Sequence, residues 1–318
     1  MPKLKFAYYL AGGCAGCDTS LLDTSKKLLE FLDGVELVFF APTVADFKYK
    51  DLESLPDNSI DFGFFSGNVR NSEHEHMAKV MRRKCKTLVA FGICASLGGI
   101  KGLVNLFPQE ELLKKAYVET FSTDNPEKVL PVPKCVVDGK YDLELPRLMP
   151  AKALDQVVEV DYYVGGCPPS YQHIEKILDA ILKGELPPKG SWLTMGKAVC
   201  DVCPRNPIRH GGVKKRPTEV KRVLGEIPED VCLLEAGYLC LGPVTLGDCD
   251  AACIKVNVPC RGCGGPIPGV RDFGVKAIST IATAMGSLEV LKKIPDPMHL
   301  FYRYSLPKST VVKNKDEN

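Results

Sequence analysis

Apolar runs and amphipathic stretches alternate from residue 3 to about residue 185. The runs KFAYYLAGG (5 to 13), VELVFFAP (35 to 42), IDFGFFSG (60 to 67), KTLVAFGIC (86 to 94) and EVDYYVGGC (159 to 167) each end in Gly, Pro or Cys. Runs of this composition and length predict buried strands. Between them, TSLLDTSKKLLEFLD, SEHEHMAKVMRRKC and SYQHIEKILDAILKGE repeat apolar residues every three or four positions, with charge on the other face. That period predicts helices. Parallel strands need long crossovers, usually helical, so the alternation predicts an α/β fold with a doubly wound parallel sheet. From about residue 187 the pattern fades: LPPKGSWLTMGKAVCDVCPRNPIRHGGVKKRP is rich in Pro, Gly and Cys, and one late helix is expected at about 273 to 291. The expected organisation is a sheet domain over residues 1–186 and a loop-rich, cysteine-rich domain over residues 187–318, held by what its cysteines bind. The polar tail KNKDEN is expected to fray.

With 318 residues, 45% of them apolar, the chain can bury a sizeable core. Lys and Arg number 41 against 39 Asp and Glu, so no broad field of one sign favours nucleic acid or an anionic membrane. A protein partner or a small substrate is the expectation. The first strand-like run starts at residue 3, which leaves no room for an export signal, and the most apolar helical candidate, Val275 to Leu291, is interrupted by Ser, Thr, Gly and Glu. The expected location is cytoplasmic, without membrane insertion. EHEH (73 to 76) reads as a solvated helix face and VKKRPTEVKR (213 to 222) as a solvated basic loop. Asp18 reads as a carboxylate at a helix N-terminus, with a role in a proton path as the other reading.

Fourteen cysteines change this picture. In a reducing compartment they point to metal ligation rather than a disulfide framework. Six of them form three Cys-x-x-Cys pairs: Cys14/Cys17, Cys200/Cys203 and Cys260/Cys263. The functional crevice of a doubly wound sheet lies at the carboxyl ends of its strands. Cys14 and Cys17 follow the first predicted strand, Cys94 closes the fourth and Cys167 the fifth, so these four thiols are expected to converge. The nearby Gly12, Gly13, Gly16, Gly92, Gly165 and Gly166 would let backbone approach a bulky group and offer N–H donors to it. Three occupants are open. Zinc suits two Cys-x-x-Cys pairs, although 200/203 and 260/263 lie farther apart than in a zinc ribbon. A thioredoxin-like redox pair at Cys14/Cys17 leaves Cys94 and Cys167 unused. An iron-sulfur cubane takes four thiolates. Setting aside Cys85, expected inside a helix, and Cys135, in a Pro-flanked segment, both as buried small hydrophobes, twelve of the fourteen remain: three sets of four.

The motifs GGCAGC, GICASLGG and GGCPP resemble those of the small, electron-transfer subunit of nickel-iron hydrogenases. The resemblance implies that Cys14, Cys17, Cys94 and Cys167 hold a proximal cluster on a flavodoxin-like domain. CDVCPR resembles the family's distal motif, with Cys200 where many periplasmic members carry histidine. VCLLEAGYLCLGPVT continues it through Cys232 and Cys240, at a spacing two residues longer than in those members. GDCDAACIKVNVPCRGC resembles the medial motif: Cys249, Cys260 and Cys263, plus Cys253, which many members lack. A fourth thiolate there implies a medial 4Fe-4S cluster of lower potential than a 3Fe-4S one.

What the resemblance implies is therefore three 4Fe-4S clusters, with no catalytic residue on this chain. The nickel-iron centre would lie on a partner large subunit. Electrons from H2 would leave through a small iron-sulfur electron-output subunit toward heterodisulfide reductase. Within the family the chain is most similar to the cytoplasmic methyl-viologen-reducing type of methanogenic and related archaea, which does not reduce the deazaflavin coenzyme. Ala15 and Gly16 stand where oxygen-tolerant relatives carry an extra cysteine, which implies an oxygen-sensitive enzyme. Other readings are the small subunit of an NAD(P)-linked sulfhydrogenase, a standalone iron-sulfur carrier, and a complex I type quinone-reducing subunit. The last would not need the eight C-terminal cysteines.

Overall fold

The computed structural model describes residues 3–207, 217, 219–221, 227–285 and 288–312. Its centre is a parallel sheet of six strands: β1 (Leu4–Leu10), β2 (Val35–Ala41), β3 (Ile60–Ser66), β4 (Cys85–Phe91), β5 (Tyr162–Tyr163) and β6 (Ser191–Trp192), in the order β2-β1-β3-β4-β5-β6. All five predicted strands are present, the fifth as only two residues. The sixth comes from the stretch expected to be loop. Ser191 lies opposite Tyr162 and Trp192 opposite Tyr163, whose ring stacks on the indole at 5.6 Å. Two residues are too few to show any period, which is why the pattern along the chain does not reveal this strand.

Successive side chains of a strand point to opposite faces, and both faces here are covered. Phe6 and Tyr8 of β1 join Phe31, Phe64, Phe91, Ile174 and Ile177 in one core. Ala7 and Tyr9 join Phe65, Met77, Met81 and Leu88 in the other. The covering helices are α1 (Gly16–Leu22), α2 (Lys26–Gly34), α3 (Tyr49–Ser54), α4 (Ser72–Lys84), α5 (Ile93–Leu97) and α6 (Tyr171–Lys183). The single helix expected across 19–33 is two, broken at Ser25 with φ 48°. Thr24 Oγ1 donates to the Leu21 carbonyl at 2.7 Å, and such hydroxyls compete with helical backbone bonds. Asn71 caps α4 by accepting from the His74 N–H at 2.8 Å.

Two expectations about cysteines need correction. Cys85 does not lie in a helix: α4 stops at Lys84 and Cys85 opens β4, fully buried, where desolvation pushes its thiol up to about 12. Its role as a small buried hydrophobe stands. Cys135 is not buried. It lies on an antiparallel ribbon, Lys134–Val137 against Tyr141–Glu144, whose residues are all exposed because no other layer packs on it.

In the C-terminal region α7 (Phe273–Met285), followed by a short helix Leu288–Leu291, matches the expected late helix. Phe273, Ala277 and Ile281 of α7 pack with Leu241, Val244, Phe301 and Leu306. Among the described residues no helix is long and apolar enough to cross a membrane. The tail KNKDEN and most of VKKRPTEVKR lie outside the described residues.

One ion-pair network fixes the sheet around β5. Buried Asp161 accepts from the Leu88 N–H, from Arg82 and from Lys189, each at 2.7 Å. Burial would push this carboxyl up, but the bonds from Lys189, Arg82 and Leu88 prevail and hold it below the usual carboxylate range. Lys189 is 61% exposed, so its share is screened. Asp161→Asn is expected to lower stability by about 2 kcal/mol at pH 7, read from the urea midpoint. A depressed carboxyl stabilises the fold above its unfolded pKa, so the gap to wild type should close as pH falls below about 4.

Candidate iron-sulfur sites

Three segments bring Cys14, Cys17, Cys94 and Cys167 to the carboxyl edge of the sheet. The first turn after β1 places Ala15 at φ 61° between Cys14 and Cys17, a strained conformation for a residue with a side chain. Gly92, at φ 83°, ends β4; a Cβ there would lie 2.5 Å from Cys17 Sγ, so only glycine lets the Cys94 loop approach that sulfur. The Ile93 N–H donates to the Gly166 carbonyl at 2.9 Å and ties the Cys94 helix to the Cys167 loop. Asn68, fully buried, clamps the other side. It exchanges backbone bonds with Gly12, and its Nδ2 donates to the Gly98 carbonyl at 3.0 Å.

The four thiols lie close enough to act on one another. Burial is the main force raising Cys17 and Cys94 to about 12 and Cys167 above its ordinary value, and neighbouring thiols of the set add to each. A Ser66 hydroxyl contact opposes the rise at Cys17. Asp18 is buried in the first turn of α1, with Tyr8 and Thr43 hydroxyls donating to its two oxygens, the latter at 2.9 Å.

A second group forms in the C-terminal region. Cys200, on the short helix Val199–Val202, is raised first by burial and then by Cys240, Cys232 and Cys203. Cys240 rises to about 11 through burial, against N–H donation from Gly242 and Cys260. Cys232 therefore stands with this group despite its longer spacing. The third group is Cys249, Cys253, Cys260 and Cys263. Burial raises Cys263 to about 12, with Cys249, Cys167 and Cys253 adding; Cys260 is raised by burial, Cys240 and Cys263. Asp250 and Ala251, between Cys249 and Cys253, take φ of 52° and 55°, repeating the strain seen at Ala15.

The groups touch in series. The Gly166 N–H, beside Cys167, donates to the Cys263 carbonyl at 2.9 Å, and Gly165 lies against the Gly264 carbonyl. On the other side the Cys260 N–H donates to Cys240 Sγ at 3.4 Å and the Leu241 N–H to the Cys260 carbonyl at 2.9 Å. Tyr304 feels the charges of Cys263, Cys167 and Cys253, which places it where the first and third groups meet.

These donor sets suit iron-sulfur clusters: thiols in fours, most of them buried or half-buried, with backbone N–H groups aimed at sulfur, as from Arg205 to Cys203 Sγ at 3.4 Å. All fourteen cysteines are described, and none of the described residues forms a disulfide. Among the described residues, no three His, Cys, Asp or Glu are grouped tightly enough to hold one metal ion. The EHEH residues have separate partners: Glu73 accepts from Tyr49, His74 from the Arg70 N–H, while Glu75 pairs with Lys79 and His76 with Glu53. Asn68, Lys101 and Tyr304 escape sequence reasoning. Each resembles an ordinary polar residue until the fold places it beside the thiols.

The family described as NADH ubiquinone oxidoreductase, 20 Kd subunit, matches residues 14–181, which hold the first thiol group and none of the other eight cysteines of the series. Relatives that span the whole chain decide the matter. The iron-sulfur subunit of the F420-non-reducing hydrogenase of Archaeoglobus profundus is 55% identical over 98% of this chain and 98% of its own length. The chain belongs to this hydrogenase subunit family. A subunit of the vhu F420-non-reducing hydrogenase of Methanocaldococcus jannaschii is 38% identical over 94% of the chain and 93% of that protein. In three dimensions a chain of the [NiFeSe] hydrogenase of Desulfovibrio vulgaris Hildenborough aligns with a TM-score of 0.52 at 17% identity, covering 85% of this chain and 95% of that one, which shows a shared fold. As a hydrogenase small subunit the chain is an electron-transfer member of an oxidoreductase, and membership implies iron-sulfur clusters here and a large catalytic subunit as partner.

Proposed function

We propose that this subunit carries three 4Fe-4S clusters: a proximal one on Cys14, Cys17, Cys94 and Cys167, a medial one on Cys249, Cys253, Cys260 and Cys263, and a distal one on Cys200, Cys203, Cys232 and Cys240. The proximal set belongs to a flavodoxin-like domain over residues 1–186, to whose sheet Ser191 and Trp192 add the edge strand, and the other two to the C-terminal domain that makes up the rest of residues 187–318. When bound, the clusters supply one-electron carriers for a relay from H2 oxidation at the nickel-iron centre of the large subunit to an electron-output subunit and heterodisulfide reductase, in the cytoplasm. The observation that carries the reading is the series of thiol quartets, each in contact with the next, on a chain alike over its full length to a hydrogenase iron-sulfur subunit.

The chain's own residues do the rest. Burial of the thiols suppresses their ionisation and nucleophilic chemistry until a metal takes the proton's place. Backbone N–H donors at Cys203 and Cys240 stabilise negative sulfur. The direct bonds between the loops of Cys167 and Cys263, and of Cys240 and Cys260, fix the separation of neighbouring sites. Ala15 and Gly16 leave the proximal site at four thiolates, and the enzyme should be oxygen-sensitive.

The complex purified anaerobically from its source should hold about twelve irons and as many sulfides per copy of this chain, with nickel in a larger co-purifying subunit. Zinc in place of iron would sink the relay. Iron without nickel would instead mark a standalone carrier, and a complex lacking heterodisulfide reductase under conditions that retain the output subunit would remove that partner.

A further inference from the structure

Lys101 follows the Cys94 helix, on the 3-10 turn Ile100–Leu106. Its side chain is half-buried, and its ammonium donates to the carbonyl of Gly13, the residue before Cys14. Among the described residues it forms no ion pair with a carboxylate. Its charge is therefore not neutralised locally, and it faces the first thiol group. Two residues before Lys101, Gly99 packs on the same group, since a Cβ there would lie 2.3 Å from Cys94 Sγ, and the Gly13 carbonyl that Lys101 binds leads directly into Cys14. His74 of α4, half-buried and held below its ordinary value by burial, feels this lysine. The carboxylate at the same site, Asp18, follows Cys17 and is engaged by Tyr8 and Thr43. The cation is thus tied to the residue before Cys14 and the anion lies after Cys17, at opposite ends of the same turn.

We propose that Lys101 sets the reduction potential of the proximal cluster, acting as a fixed positive charge tethered to the Cys14 loop. The inference rests on the proximal-site reading given above. Taking up an electron adds negative charge to a group already ringed by four thiolates. An unneutralised ammonium beside it favours the reduced form, more strongly in a half-buried site than in water. The tether to Gly13 keeps the charge in place without a carboxylate that would cancel it. Lys101 is a positioning residue for charge and touches none of the thiols' bonds.

The test is EPR-monitored redox titration of the anaerobic complex with Lys101→Gln, Lys101→Met and Lys101→Arg, each scored for iron content. Lys101→Gln keeps a donor for Gly13 but removes the charge. It should lower the proximal potential by about a tenfold change in the one-electron equilibrium, roughly 59 mV, with medial and distal potentials unmoved. Lys101→Met should match it, and Lys101→Arg should restore the wild-type value. An unmoved proximal potential in Lys101→Gln with iron intact overturns the proposal. So does a shift in Lys101→Arg as large as in Lys101→Gln, or loss of proximal iron in Lys101→Gln or Lys101→Met, since either marks a structural tether only. Absence of cubane signals in the wild type would overturn the proximal-site reading itself, and this proposal with it.

Discussion

Gly165→Ala is expected to strip proximal and medial iron from the chain together while sparing the distal set. A Cβ on Gly165 would lie 1.9 Å from the Gly264 carbonyl oxygen and 2.6 Å from its carbon. Both are backbone atoms, so no flexible side chain can yield. Gly165 stands two residues before Cys167 and Gly264 one after Cys263, and the bond from the Gly166 N–H to the Cys263 carbonyl locks the two loops together. Overpacking a core side chain costs about 1–3 kcal/mol; here a pair of backbone segments that each carry ligands must move apart, so the cost should exceed about 3 kcal/mol. Iron per chain should fall from about twelve toward about four, with the distal EPR signal retained. Gly184 is the control: nothing lies within 4 Å of its Cβ position, so Gly184→Ala meets only the strain of φ 69° and should keep its iron. Full iron with unaltered spectra in Gly165→Ala would show that the two loops do not need this contact.

The sheet was legible because its strands are long, apolar and closed by Gly, Pro or Cys, and because the order of a doubly wound sheet brings such closures to one edge. The same logic places Cys14, Cys17, Cys94 and Cys167 beside one another, as they are found. Where the reading failed, the local pattern carried no information about neighbours. The helical run before Cys85 keeps its charge pattern up to Lys84, so the switch to strand at the next residue has no mark. KCVV and YDLE have the β-propensity of strands, but whether a second layer covers them depends on distant chain, and here none does, which leaves Cys135 in solvent. Ser25 breaks a helix whose apolar period runs through it, because two successive side chains offer the backbone other partners, Thr24 Oγ1 to the Leu21 carbonyl and Ser25 Oγ to the Asp23 carbonyl. The medial and distal assignments came from motif resemblance, since no periodicity connects Cys232 with Cys203 or Cys253 with Cys263. Their adjacency is a property of folded loops.

Two kinds of strain support the thiol groups. Non-glycine residues with positive φ sit between Cys14 and Cys17 and between Cys249 and Cys253, while glycines permit the closest approaches, at Gly92 to Cys17 and at Gly165 to Gly264. Such strain persists only where surrounding structure over-determines it. Around the first group that structure is the pair of bonds from Asn68 and the covered sheet. Around the others it is the compact contact of α7 with Leu241 and Val244, next to Cys240. Of the twelve thiols in the three groups, Cys14, Cys167 and Cys253 are the exposed ones.

Cys253→Ala tests the exposed member of the medial group. Cys253 is raised by burial and by Cys249, with Arg261 opposing, and it acts in turn on Cys263, so its thiol faces the same space as theirs. Yet it is exposed, on the short helix Ala252–Lys255, whereas Cys260 is buried and its N–H donates to Cys240 Sγ. Losing Cys253 leaves three thiols whose backbone is held from within the fold. The variant should therefore stay folded, lose about one iron in twelve and show a 3Fe-type EPR signal when oxidised, with a higher medial potential because the site carries less negative charge. Proximal and distal signals should not move. Cys260→Ala should behave differently, emptying the medial site because a buried thiol is lost, while the backbone N–H of residue 260 still donates to Cys240 Sγ and holds the distal loop. If Cys253→Ala kept every iron and an unchanged medial potential, Cys253 would not be a ligand, and the fourth thiolate that distinguishes this medial site would have to be sought elsewhere.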